Sequence, residues 1–402
     1  MLYLKSSRFK SAPCRVALRY DYPERRPAVA EMRASTALGL LSLASCLRVT
    51  ASKPIPPHSV SGFSAGASMA INHLVAFSDV VEGMGIIGGS PYGCNTVPDN
   101  GASCSGFQAH PFAHLENTSI PWTRWVRSIR SGYLAERAAQ GRVPPLANLV
   151  DKPVWLFSGL DDVWVYQSVM RAVAMQFANF SSRVKTVFSY YAAHSWVVDD
   201  ETCKDPGAQR PLNDCCGFKN GSTRCPLPPK NAPLSALGCC GVCASGDNDE
   251  RKNVTFTDGW RPPINSCNFD MSGEVLRWIL GPANVSARKP VVASNLIPVQ
   301  QQRWLPADWT VKRALLDDTG FVYVPRACAV DADDAARGHL YTSRCRIHVH
   351  YHPCGGSWRP LSLSYMLGNA LPAYAEGNDL VILYPQSAAG SENPAGGGVS
   401  RA

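Results

Sequence analysis

The chain has 402 residues, 45% hydrophobic and 17% charged, enough apolar content for one large or two ordinary domains with a buried core. Its formal charge of +8 sits at the front: residues 1–31 carry seven Lys/Arg against three Asp/Glu, Arg33 and Arg48 add two, and +2 remains from Ser52 onward. A nearly neutral body excludes an electrostatic nucleic-acid binder.

In chain order, residues 1–31 read as an unstructured upstream extension. Residues 32–51, "MRASTALGLLSLASCLRVTA", read as a signal peptide. Met32-Arg33 is a short basic start, Ala37–Leu47 an apolar run of eleven, and Val49-Thr50-Ala51 a small-residue cleavage site. That run is too short for a membrane span. Fifteen cysteines and five N-x-S/T sequons (Asn117, Asn179, Asn220, Asn253, Asn284) agree with a secreted, disulfide-bonded glycoprotein. The expected localisation is extracellular.

The body alternates strands and helices. His58–Gly62 predicts a short strand, Ala65–Phe77 a helix with small and apolar residues on one face, and Val80–Ile87 a buried strand closed by Gly88-Gly89. Between the first two stands Gly62-Phe63-Ser64-Ala65-Gly66, a G-x-S-x-G pattern in the strand–turn–helix setting of a nucleophile elbow. Residues 152–165, "KPVWLFSGLDDVWV", predict a buried strand and an acidic loop. Residues 169–180 follow as a helix, and 184–196, "VKTVFSYYAAHSW", as a strand ending in a histidine.

Residues 203–267 interrupt this rhythm with eight cysteines among many Gly and Pro, and read as an inserted module held by disulfides. A zinc knuckle on Cys240-x-x-Cys243 is the alternative, disfavoured by the adjacent Cys-Cys pairs. Residues 268–282 predict a helix, and a polar connector follows. Strands at 320–325, 345–356 and 379–386 close the chain, the last two separated by a helix across Leu363–Glu376. His348, His350 and His352 alternate along the second of these strands. Alternation is what any strand imposes, and no carboxylate cluster completes a metal site; neither metal nor cofactor is expected.

A serine hydroxyl needs a histidine to accept its proton, a carboxylate to orient that histidine, and backbone N–H groups for the oxyanion. Ser64, an aspartate at 161–162 and His194 stand in the chain order of α/β-hydrolases, each just past a strand's C-terminal end, where α/β sheets gather their ligands. The oxyanion strand and loop expected before the nucleophile have no room there. "IHVHYHPCGG" (347–356) looks like that element, placed after the histidine.

A nucleophile that comes first and an oxyanion strand that comes last describe a circularly permuted α/β-hydrolase. The chain here resembles the secreted fungal-type poly(3-hydroxybutyrate) depolymerases, through "SVSGFSAGASMA", "AFSDV", "GGSPYGC", "FSGLDDVWV", "AAHSW", "CNFDMSGEVLRWILG", "TGFVYVPRAC", "IHVHYHPC" and "LVILYPQ". These stretches span most of residues 58–386 in the family's order.

The resemblance implies Ser64 as nucleophile, His194 as general base and Asp162, through the family's G-x-x-D from Gly159, as its orienting acid. It implies the backbone N–H groups of Ala65 and Cys354 as oxyanion donors, and disulfides Cys94–Cys104, Cys203–Cys267 and Cys328–Cys345. The family's H-G-C reads His352-Pro353-Cys354 here. Six cysteines remain inside the insertion and Cys354 is left over, its family partner belonging to a segment beyond the Y-P-Q strand that residues 387–402 do not match. Trp196 and Trp164 are expected along an apolar substrate crevice, a core position being the alternative for Trp196.

The expected architecture is thus an α/β-hydrolase domain over residues 52–386, interrupted by the cysteine-rich insertion at 203–267, with a low-complexity tail at 387–402. The expected protein is a monomer whose partner is a polyester or hydroxy-acid ester, cleaved through an acyl-enzyme. A carboxylesterase for other esters, such as acyl groups on plant polysaccharides, and a catalytically inactive binding relative are the alternatives.

Overall fold

A computed structural model of the chain describes residues 55–93, 133–160, 162, 165, 167–190, 192, 194–199, 214–215, 264–266, 269–336, 338–354, 356–358 and 363–388. The expected upstream extension and signal peptide, nearly all of the expected insertion and the residues beyond 388 lie outside these residues.

Strand β1 (His58–Phe63) is buried along its whole length. Burial on both faces marks an interior strand of a parallel sheet. Helix α1 (Ala65–Ala76) returns over the sheet to β2 (Val81–Ile87), and β3 (Val154–Phe157), α2 (Gln167–Phe177) and β4 (Val184–Val187) continue outward. The second half supplies helix α3 (Met271–Leu280), strands β8 (Leu296–Gln300), β9 (Thr319–Tyr323) and β10 (Arg346–Tyr351), helices α4 (Ser364–Gly368) and α5 (Leu371–Asn378), and β11 (Leu380–Tyr384). Three short strands, β5 (Trp196–Val198), β6 (Asp214–Cys215) and β7 (Ile264–Ser266), make a separate parallel sheet in the order β5-β7-β6.

The main sheet has eight strands in the order β4-β3-β2-β1-β10-β11-β9-β8. Strands β1 to β4, β10 and β11 run parallel, and β9 and β8 are paired antiparallel at one end. The described strands therefore start mid-sheet, run out to one edge, re-enter at the opposite edge, place β10 beside β1 and end with β11 between β10 and β9. This is the permuted α/β-hydrolase order, with the seam between β1 and β10.

Alternation along the strands divides the apolar side chains between two layers. Val60, Met84, Leu156, Ile347 and Val349 pack with Ile71 and Leu74 of α1 and Met170 of α2. Phe63, Ile87, Trp155, Phe157 and Ile382 pack on the other face with Met271 and Leu276 of α3 and Tyr374 of α5. Cys328 and Cys345 are disulfide-bonded next to β9 and β10. Among the described residues no helix is long and apolar enough to cross a membrane.

Three expected elements differ. The strand read over 184–196 stops at Val187, because its one neighbour, β3, ends at the paired Phe157. His194 therefore stands on a loop before β5. The single helix read over Leu363–Glu376 is two: Ala370 takes φ 63° between them, and Pro372 in the first turn of α5 cannot continue a preceding helix. The polar connector contains β8, whose largely exposed residues and Pro298 conceal it. An edge strand tolerates both, since one side of it has no ladder to satisfy.

Candidate active site

Ser64 follows β1 directly and takes φ 57°, ψ −121°, a backbone conformation costly for a residue with a Cβ. Its surroundings over-determine it. The Ser64 N–H donates to the carbonyl of Ile87 at 2.8 Å, and its own carbonyl accepts from Ala67 and Ser68 at 3.0 and 3.2 Å, opening α1. The turn is feasible because neither flanking glycine carries a side chain. A Cβ on Gly62 would overlap the Gly66 carbonyl, and one on Gly66 would overlap the carbonyl oxygens of Tyr351 and His352. The second glycine thus sets how closely the loop after β10 approaches the elbow. Gly66→Ala should force that loop away: kcat is expected to fall by about 10²-fold, and the urea midpoint to drop by the equivalent of about 2 kcal/mol. Unchanged kcat would mean that the contact does not set the site's geometry.

The second half of the site is one part-buried hydrogen bond. His194 Nδ1 lies 2.8 Å from Asp162 Oδ2, with side-chain exposures of 14% and 3%. The other carboxylate oxygen of Asp162 accepts the Val165 N–H at 2.8 Å. A carboxylate accepts only, so the histidine proton sits on Nδ1 and Nε2 is left as an acceptor. The imidazole stacks obliquely on Phe63, with ring centroids 4.7 Å apart. On another side it meets Gly88, where a Cβ would stand 3.0 Å from its Cε1. Phe63 precedes Ser64, and Gly88 follows the residue whose carbonyl holds the Ser64 N–H. The structure thus brings Asp162 and His194 into direct contact and seats His194 beside the elbow. Among the described residues no hydrogen bond joins the Ser64 hydroxyl to the imidazole.

The loop after β10 is tied down at several points. His352 Nδ1–H donates to the Pro353 carbonyl at 2.8 Å, and Nε2 accepts the Ser387 N–H at 3.1 Å. Burial lowers its pKa and favours that neutral form. The Gly356 N–H returns to the Pro353 carbonyl at 2.9 Å. Gln386 Oε1 accepts the Trp358 N–H at 2.9 Å. Cys354 is disulfide-bonded, which corrects the expectation that it is left over; its partner sulfur lies outside the described residues. Pro353 removes one N–H from the loop without removing that of Cys354.

Other expected residues fall elsewhere. Trp196 is fully buried, donates Nε1–H to the Asn369 carbonyl at 2.9 Å and meets His350 edge-on, so it belongs to the core and not to a crevice wall. Burying so large a ring with its one polar atom satisfied stabilises the layer under α3. Trp164, Cys94, Cys104, Cys203, Cys267, Asn117, Asn220 and Asn253 lie outside the described residues. Asn284 is exposed beyond α3, and Asn179 is half-buried beyond α2. Among the described residues no metal-ligating cluster is found. Phe63, Gly88, Gln386 and Ser387 were not legible as site residues; the Gly88-Gly89 pair reads in sequence only as the end of a strand.

No family model matches the chain. A poly(3-hydroxybutyrate) depolymerase of Delftia acidovorans is 24% identical over 340 residues, covering 83% of this chain and 52% of that protein. A polyhydroxybutyrate depolymerase of Talaromyces funiculosus is 25% identical over 332 residues, covering 82% of this chain and 74% of its own. The chain thus spans about half the length of the first relative and about three quarters of the second. Among solved structures, PHB depolymerase from Penicillium funiculosum and a serine-to-alanine PHB depolymerase complexed with an R3HB trimer each superpose with a TM-score of 0.53 at 23% identity. Each superposition covers 83% of this chain and 80% of that one. Over most of its length the chain is thus similar in sequence to poly(3-hydroxybutyrate) depolymerases, and in fold to the solved structure of one.

Proposed function

We propose that the chain is a secreted serine hydrolase that cleaves the ester bonds of poly(3-hydroxybutyrate) or of related short hydroxyalkanoate oligomers. The observation that carries this reading is the Asp162–His194 hydrogen bond, seated against Phe63 and Gly88 at the strained Ser64 elbow. The names of the relatives, and the hydroxybutyrate trimer bound by one of them, support the substrate class.

In this mechanism Ser64 Oγ attacks the ester carbonyl while His194 Nε2 takes the hydroxyl proton. Asp162 holds the imidazolium that forms and fixes its tautomer. The carbonyl oxygen becomes an oxyanion facing the N–H groups of Ala65, at the start of α1, and of Cys354. Collapse expels the alcohol end of the chain, which leaves with the proton from His194, and Ser64 keeps the acyl group as an ester. Water, deprotonated by the same histidine, then releases the hydroxy acid and restores the serine.

The disulfide-bonded cysteines and the signal-peptide pattern at 32–51 support an oxidising, extracellular setting. The domain proposed is 52–386, with 203–267 inserted in it.

Expressed from Ser52, the protein should be labelled at Ser64 by an active-serine phosphonate and should cleave (R)-3-hydroxybutyrate trimer with higher kcat/KM than p-nitrophenyl butyrate. Labelling with a preference for the simple ester would move the carboxylesterase reading ahead. Folded protein that is neither labelled nor active would leave the binding reading.

A further inference from the structure

We propose that Ser61 and His350, backed by Ser59 and His348, are positioning residues: a buried ladder of side-chain hydrogen bonds that sets the register of β1 against β10 and so the placement of the oxyanion loop over Ser64. The inference rests on the reading of Ser64 as nucleophile.

Ser59, Ser61, His348 and His350 are all fully buried, in the layer beneath α3 and α5. In the parallel register, Ser59 lies opposite His348 and Ser61 opposite His350. Ser59 Oγ stands 2.7 Å from His348 Nδ1, and Ser61 Oγ stands 2.7 Å from both His348 Nε2 and His350 Nδ1. His350 Nε2 is 3.0 Å from the Tyr365 hydroxyl. Each serine is thus a rung, and Ser61 binds two successive histidines of the facing strand.

The protons can be ordered. Among the described residues the Tyr365 hydroxyl has no acceptor but His350 Nε2, so Tyr365 O–H donates there. His350 Nδ1–H then donates to Ser61, Ser61 O–H to His348 Nε2, and His348 Nδ1–H to Ser59. The Ser59 hydroxyl completes the run on the Ile347 carbonyl at 3.5 Å. Every donor has an acceptor, with both rings neutral.

Apolar residues would fill these positions equally well, since the surrounding layer consists of side chains such as Phe63, Trp196, Ile382 and Tyr384. Apolar contact does not distinguish one register from another. A hydrogen-bonded ladder does, because any slip leaves buried hydroxyls and ring nitrogens without partners. Two residues of slip would move β10 by roughly 6.6 Å. Register matters at this seam more than at any other in the sheet: the elbow is the residue after β1, and Cys354 lies three residues after β10. His350 also meets the ring of Trp196, two residues beyond His194, so the ladder touches the segments carrying Ser64, His194 and the oxyanion loop.

The test measures p-nitrophenyl butyrate hydrolysis by the full chain, with kcat expressed per phosphonate-labelled Ser64. Ser61→Ala is expected to lower kcat per labelled site by about 10- to 100-fold with KM nearly unchanged, and Ser61→Thr, which keeps the hydroxyl, to recover most of it. A structural role alone would reduce the labelled fraction and leave kcat per labelled site at the wild-type value; that result overturns the proposal. If Ser61→Ala does not fold, Ser59→Ala, which removes only the end rung, is judged by the same readout, and unchanged kcat per site again overturns it. Wild-type protein without Ser64-dependent turnover would overturn the reading of the site itself, whereas wild-type turnover with an unaffected Ser61→Ala overturns the ladder alone.

Discussion

Asp162→Asn is expected to lower kcat by about 10⁴-fold in a protein that still folds, against a loss of about 10⁶-fold for Ser64→Ala. The geometry gives the reason. The two oxygens of Asp162 accept, among the described residues, from Val165 N–H and His194 Nδ1–H, each at 2.8 Å. An asparagine has one acceptor oxygen. If it keeps the Val165 bond, its NH₂ faces the imidazole and stabilises the tautomer with the proton on Nε2, which cannot accept from Ser64. If it keeps the imidazole bond, a buried N–H is left without an acceptor and the loop after β3 loses its tie. The check is the pre-steady-state rate of acylation by p-nitrophenyl butyrate, with circular dichroism to confirm the fold. A loss smaller than about tenfold would remove Asp162 from the orienting role assigned to it.

The protein is also expected to lose stability steeply below neutrality. Burial, the larger cause, together with the neighbouring His58 lowers His348 to about 3, and burial with His348 and His352 nearby puts His350 well below its ordinary 6.5. Their unfolded-state pKa is near 6.5, so between the two values the unfolded chain binds protons that the native protein does not. The stabilisation from neutral burial is therefore complete above pH 6.5 and is lost as pH falls. Each histidine contributes a slope of up to about 1.4 kcal/mol per pH unit. Two such groups remove about 6 kcal/mol over two pH units, comparable with the whole stability of an ordinary domain. His73, hydrogen-bonded to His58 and Tyr351 and lowered to about 3 by burial, adds to the same slope. Urea midpoints should be nearly level from pH 7.5 to about 6.5 and fall from there to about pH 5, where most carboxylates remain ionised. A flat profile from pH 7 to 5 would show that these histidines are hydrated or protonated in the folded protein.

Local chemistry made much of this legible in advance. Gly62 to Gly66 spells a turn whose glycines are required by contacts with a helix and a loop, and β3 and β11, buried along most of their length, read as apolar runs. An aspartate at 161–162 was recognisable because it stands past such a strand, whereas His194 reads as the end of a strand that the structure stops at Val187. Elements with weaker local signals were misread: β8 is exposed and contains a proline, the strand after Val184 ends where its partner ends, and Pro372 divides a helix whose composition suggests one piece.

The sequence by itself determined the residue types, their order and the permuted arrangement of the strands, because periodicity and chain order are local or sequential properties. Only the tertiary structure decided that Trp196 is core, that Cys354 is bonded, and that His348 and His350, which read as a bare alternation, face Ser59 and Ser61 across the seam. Those outcomes depend on which segments meet after folding, and a hydrogen bond between residues 289 apart leaves no trace in either neighbourhood of the chain.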